Sequence, residues 1–291
     1  MSRSPIDTQA LLHWIDFHNN YDPTRFVDFV IDDTVLGAVH KDMRDRCVQH
    51  PGVFQVSEQR VVLHPRLDDP PSRTQAVECV LKEWLAQGVF SGWRDEHYVV
   101  STAFEAEPLM SIERSAAPLF GIRQYGVHIN GIVRTERQTA MWVARRSDRK
   151  PEYPGQLDHL VAGGLAVGLT AYNTALKECG EEAGVPEILA RRVRAVGTVS
   201  YRRFSGLRSA TVVIFCYDLE LPESFVPVNA DGEVGEFYLW PVERVIETIT
   251  QTREFKANCN LVIMDFLVRH GYLCPEDAHY IEIVQRLRSG A

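Results

Sequence analysis

Between Gly163 and Gly184 the chain sets three carboxylates, Glu178, Glu181 and Glu182, at the end of what reads as a helix. At the pitch of an α-helix they fall within a sector of roughly 100°. Tyr172, Leu176, Cys179 and Ala183 trace an apolar stripe on another side, the pattern of a helix docked on a core. Gly184 and Pro186 supply the stop. The acids are badly placed for an isolated helix. Glu178 and Glu182, four residues apart, repel by roughly 0.2–0.5 kcal/mol. Anions in a last turn also oppose the macrodipole by about 0.3–1 kcal/mol. Only Lys177, four residues before Glu181, offers local relief. A sequence that keeps such a cluster gains a cation elsewhere. Oxygen donors with no Cys or His among them suit a hard ion, Mg²⁺ or Mn²⁺. A solvated acidic helix end has the same composition. The approach through Gly163, Gly164 and Gly168 tips the balance toward a site, because glycines let backbone come close to a phosphate.

This run resembles the Nudix box, G-x5-E-x7-R-E-U-x-E-E-x-G-U, where U is a bulky apolar residue. Gly163, Glu178, Cys179, Glu181, Glu182, Gly184 and Val185 stand where the pattern asks. Leu169 replaces its first glutamate and Lys177 its arginine, so the ion pair those positions commonly form is absent. The resemblance implies an α/β fold, a Nudix-type α/β/α sandwich with a mixed sheet. It also implies a diphosphohydrolase (pyrophosphatase) with Mg²⁺ or Mn²⁺ on Glu178, Glu181 and Glu182. The base that accepts a proton from water is Glu182, Glu181 or, from a late loop, Glu233 or Glu236. Segments 142–147, 157–164 and 255–262 are similar to a Nudix subgroup with an N-terminal extension, related to thiamine pyrophosphokinase-associated proteins. That likeness implies thiamine diphosphate or its oxidised analogues as substrate. Nucleoside-diphosphate derivatives such as ADP-ribose or NADH are the second expectation. A weakly active diphosphate-binding sensor or scaffold is the third, given Leu169 and Lys177.

Phosphate contacts are expected from Gly163, Gly164 and from Arg145, Arg146 and Lys150, with arginine able to bind bidentately. Adjacent residues on a strand point to opposite faces, so at most one of Arg145 and Arg146 reaches a site. Arg202 and Arg203 have the same ambiguity. His159, just before the glycines, is a candidate for substrate contact or for a structural hydrogen bond.

Net charge is −8, with 31 basic against 39 acidic residues, which argues against a general binder of nucleic acid or anionic membrane. The expected partner is a small organic diphosphate, with no nucleic acid and no membrane; a homodimer stays open. The six cysteines are dispersed without a C-x-x-C pair, as in a reduced, cytoplasmic protein. Residues 1–8 lack an apolar signal core, and no stretch reaches the ~18–20 apolar residues of a membrane span.

At 291 residues two domains are expected. An α+β unit, 1–120, would carry helices at 8–19, 41–49 and from a cap at Ser72 to a stop at Gly88. Its strands would lie at 26–31, 35–39, 54–57, 61–63 and 98–103. Such a unit could serve as a lid, a dimer interface or a separate binding domain. Its Trp14, Trp84 and Trp93 read as core or interface, and its histidines, His18 among them, as structural. A second unit, 121–291, would carry strands at 126–134, 139–145, 193–201, 210–219 and 236–239. Helices would follow at 242–248, 258–269 and 276–287.

Overall fold

The computed structural model describes residues 6–290; residues 1–5, which open the stretch read for a signal core, and residue 291 lie outside it. The first unit begins with helix α1 (Thr8–His18), hairpin strands β1 (Phe26–Ile31) and β2 (Thr34–His40), and helix α2 (Lys41–Cys47). Strands β3 (Phe54–Val56) and β4 (Arg60–Leu63) complete a four-stranded sheet in the order β2-β1-β4-β3, with β1 and β4 parallel. Helix α3 (Pro70–Ala86) then leads into the pair β5 (His97–Val100) and β6 (Met110–Glu113). Asp69, not Ser72, caps α3: its carboxylate accepts from the Ser72 amide at 2.9 Å. Pro70 and Pro71 fit the first turn because their missing N–H groups have no helical partner there. Val77, Val80, Leu81 and Trp84 pack into this unit's core with Phe29, Phe54 and Phe120.

The second unit is a sandwich. Strands β7 (Arg123–Arg134), β8 (Thr139–Arg146), β9 (Leu157–His159) and β10 (Val161–Gly164) precede helices α4 (Ala171–Ala183) and α5 (Glu187–Ala190). Strands β11 (Arg194–Ser205), β12 (Arg208–Glu220) and β13 (Val234–Pro241) follow, then helices α6 (Val242–Gln251), α7 (Ala257–Arg269) and α8 (Tyr280–Arg286). The sheet runs β11-β12-β7-β8-β13, with β10 on β7 and β9 on β8; only β12 and β7 pair in parallel, so it is mixed. Alternation along its strands divides the core. Val127, Ile129, Val133 and Trp142 face Ala175, Cys179 and Ala183 of α4. Ile132, Met141, Val143, Ile214 and Cys216 face α6, α7 and α8. Helix α7 is apolar nearly all round because it is covered on more than one side, by the sheet and by α1.

Helix α1 packs in this second core although it opens the chain. Leu11, Leu12, Trp14 and Ile15 join the α6–α7 cluster, and the Trp14 indole donates to the Ile249 carbonyl at 2.8 Å. The units meet tightly at Gly37 and Gly121. A Cβ on Gly37 would stand 2.2 Å from the Phe120 carbonyl oxygen, and Gly121 has φ +60°. Both positions exclude a side chain.

Several elements differ from expectation. Strands β6, β9 and β10 come from short runs without clear alternation; β10 holds Gly163 and Gly164, read as loop. Tyr172 is exposed and Leu176 only partly covered, whereas Thr174 and Ala175 are buried, because α4 is rotated toward its alanines. The last helix starts at Tyr280 rather than 276, after a turn that ends with His279 at φ +60°.

Candidate functional site

Thr170 caps α4 through the Asn173 amide, and Gly184, in the left-handed conformation, ends it. Between these ends Ala175, Cys179 and Ala183 lock the helix onto the sheet. The opposite edge of that face carries the acids into a cleft of about 440 Å³. Glu182 is 8% exposed and accepts from the Ala162 amide at 2.9 Å. Burial pushes its carboxyl up to about 8, against the Ala162 hydrogen bond and with help from the Asp158, Glu178 and Glu233 charges. Burial also raises the Glu178 carboxyl, although Lys177 opposes the shift. Glu181 is exposed and pairs with Lys177 at 2.7 Å; Lys177 stands 3.7 Å from Glu178. The lysine thus turns to the acids of its own helix.

Gly163 explains how Glu178 fits. A Cβ there would lie 2.6 Å from the Glu178 Cγ and Cδ, so only glycine lets the carboxylate lie across β10. Gly164 lines the same cleft; its absent side chain leaves room for the Tyr98 hydroxyl and Arg114.

The other expected residues separate. Arg146 lines the cleft and bonds Asp158 Oδ2 at 3.0 Å and the carbonyls of Glu152 and Tyr153. Arg145 points to the other face of β8, where it is spent on the Gly155 carbonyl, Tyr238 and Glu254. Glu233 lines the cleft and pairs with Lys150; Glu236 is bonded to Tyr238 instead. His159 lies beneath the floor, its Nδ1 2.9 Å from His128 Nδ1, with burial lowering it to about 4.

The cleft also holds charges that sequence reading did not single out. Arg94 and Arg114 come from the first unit and pair with Glu152 at 3.3 Å and Glu96 at 2.6 Å. Lys256, at the N-terminus of α7, bonds Asp158 Oδ2 at 3.3 Å. Asp158 Oδ1 accepts from the His159 amide and the Cys259 thiol, each at 2.9 Å. Burial opposes ionisation of Asp158, but Lys256 foremost holds its carboxyl well below the usual range. His128, Asp158, His159 and Cys259 place four donor atoms within 4.8 Å of one another, a group that could hold a metal ion. No local signal joins these residues: they come from β7, β9 and the start of α7.

A second cavity, about 410 Å³, adjoins the first and shares Arg114, Ala162, Gly163, Gly164 and Lys256 with it. Its lining also includes His18, His128, Tyr125, Tyr201, Arg203 and Arg208. His18, read as structural, is here both a core histidine and part of a wall. Together the chambers have the size of a small-ligand site, with carboxylates at one end and aromatic rings at the other.

A family profile described as a NUDIX domain matches residues 124–259, and one described as a domain of unknown function, DUF4743, matches residues 10–124. Nudix hydrolase 24, chloroplastic, of Arabidopsis thaliana is 44% identical over 267 residues, covering 91% of this chain and 73% of its own. Nudix hydrolase 20, chloroplastic, of the same plant is 45% identical over 273 residues, with the same coverage. The solved NUDIX domain of Shewanella oneidensis NrtR, complexed with ADP ribose, aligns over 53% of this chain and 91% of that one, with a TM-score of 0.41 and 15% identity. The expectation of a cytoplasmic protein is corrected by the two plant relatives, both named chloroplastic. No helix among the described residues is long and apolar enough to cross a membrane.

Proposed function

The chain belongs to the Nudix hydrolase family, and from that premise we propose that this diphosphohydrolase cleaves an organic diphosphate by attack of water at phosphorus, in the cleft beneath α4. The observation that carries the reading is Glu182: a buried carboxylate whose one hydrogen bond is a backbone amide and whose neighbours include two more carboxylates. Such a group favours a cation beside it. Nudix hydrolases generally use divalent metals, and the oxygen-only set Glu178, Glu181 and Glu182 fits a hard ion, Mg²⁺ first and Mn²⁺ second. When bound, the ion supplies neutralisation of phosphoryl charge and a more acidic water.

The chain's own residues do the rest. Glu233, held by Lys150 across the cleft from α4, accepts the proton of the attacking water. Arg146 and the backbone at Gly163 and Gly164 orient the phosphates. Arg94 and Arg114 bring charge from the first unit, so that unit forms part of the wall rather than a detached module. The aromatic chamber takes the organic group. Thiamine diphosphate and its oxidised analogues are the first candidates, on the subgroup resemblance.

The test is product release with and without Mg²⁺ from thiamine diphosphate, its oxidised analogues, ADP-ribose and NADH. Metal-dependent cleavage of the thiamine group at the highest kcat/KM supports the full reading. Preference for ADP-ribose or NADH would move the substrate class. No turnover of any of them by folded protein would sink it.

A further inference from the structure

We propose that Lys256 grips the diphosphate of the substrate where the carboxylate chamber opens into the aromatic one. The inference rests on the reading of the cleft as a diphosphate site. Its first ground is position. Lys256 lines both chambers and is 17% exposed, so its ammonium lies deep yet reachable. A diphosphate with its terminal phosphate at the glutamates and its organic group among the rings passes this point.

The second ground is what each cation of the cleft has already spent. Arg94, Arg114, Lys150 and Lys177 each face a carboxylate, Glu152, Glu96, Glu233 and Glu181. Arg146 uses its fork on Asp158 and two carbonyls. Lys256 has three donors and one hydrogen-bond acceptor, an Asp158 oxygen that Arg146 shares.

Charge decides the kind of ligand. Asp158 offers one negative charge to two cations. Arg146 and Lys256 both lean on that single carboxylate, so an anion beside them completes the charge. Lys256 is also the N-cap of α7, a helix with no side-chain cap, so the first amides and the helix dipole reinforce the same preference.

Lys256→Met keeps the aliphatic stem and leaves Asp158 paired with Arg146; Lys256→Arg keeps the charge. Binding of inorganic pyrophosphate by calorimetry, the melting temperature, and kcat and KM on whichever diphosphate the wild type cleaves are measured for all three proteins. We expect Lys256→Met to melt near the wild type, weaken pyrophosphate binding at least tenfold and lower kcat/KM on the order of 100-fold, much of it in KM. Lys256→Arg should recover most of the binding. Wild-type pyrophosphate affinity and KM in folded Lys256→Met would overturn the proposal. If the wild type cleaves no diphosphate, the hydrolase reading fails alone. Pyrophosphate binding then still decides Lys256: loss of binding in Lys256→Met supports it, and no binding by the wild type, or equal binding, rejects it.

Discussion

The two walls of the cleft solve opposite electrostatic problems. On α4, Glu178 and Glu182 are buried as like charges whose surroundings make ionisation unfavourable. On the floor, Asp158 is buried among cations and hydrogen-bond donors that make ionisation favourable. One wall lacks a buried counter-charge for its acids, whereas on the other the acid is paired within the fold. The difference teaches where each wall finds its partner: the acids have none buried within the fold, which is the ground for the proposed metal ion, whereas Asp158 pairs with Lys256 and Arg146.

The sharpest break of this comparison is Glu182→Gln. Under the proposed role of Glu182 as a metal ligand, its loss forfeits several kcal/mol of transition-state stabilisation, so kcat should fall on the order of 10³-fold. Without metal the variant should melt no lower than the wild type at neutral pH, because it avoids the cost of neutralising a buried acid; turnover and thermal melts read both. Asp158→Ala should act in the reverse sense. It leaves two buried cations without a counter-charge and should lower stability by about 3–5 kcal/mol, measured by denaturant unfolding. Equal and same-signed stability changes in these two variants would remove the distinction between the walls.

His18 adds a pH test at the far end of the cavity. Burial lowers it to about 4, from 6.5 in an unfolded chain. Its neutral form is thus the folded form, and its contribution is fully present above pH 6.5. Between pH 6.5 and 4 the unfolded chain binds the extra proton, so stability should fall by about 3 kcal/mol as pH drops. Unfolding at pH 7 and pH 5 should show a shallower loss in His18→Gln; an identical slope would show that His18 is not the titrating group. Gly163→Ala should cost about 1–3 kcal/mol of stability, with a drop in activity, because its methyl meets Glu178 at 2.6 Å. Normal kcat in that variant would mean that Glu178 need not lie across β10. The smallest effect belongs to Lys177→Ala. Its pairing with Glu181 is solvent-exposed, and unfolding should register less than about 0.5 kcal/mol.

The acidic wall was legible because it is local. Helical spacing alone puts Glu178, Glu181 and Glu182 together, and glycines mark both ends. Of the facing charges only Arg146 and Lys150 were singled out; Arg94, Arg114 and Lys256 were not legible, because they meet only after two units and several strands have packed, and each alone reads as a surface cation. Fold followed the same rule. The long strands and α3, α6 and α7 were readable from alternation and helical period, whereas three- and four-residue β6, β9 and β10 carry too few positions for a period. Helix α1 was found, but nothing within its sequence says that it packs against α7 rather than its chain neighbours. Cys259 looked like an ordinary buried cysteine, and His159 like a substrate contact or a structural hydrogen bond, because their shared acceptor, Asp158, draws on a helix 101 residues away.

The most direct test of the account is turnover against Mg²⁺ concentration for the wild type and Glu182→Gln, on the best diphosphate substrate. The account predicts saturable activation of the wild type and loss of nearly all metal-dependent turnover in a variant that remains folded. Metal-dependent hydrolysis at wild-type rate in Glu182→Gln would place the chemistry away from α4 and contradict it.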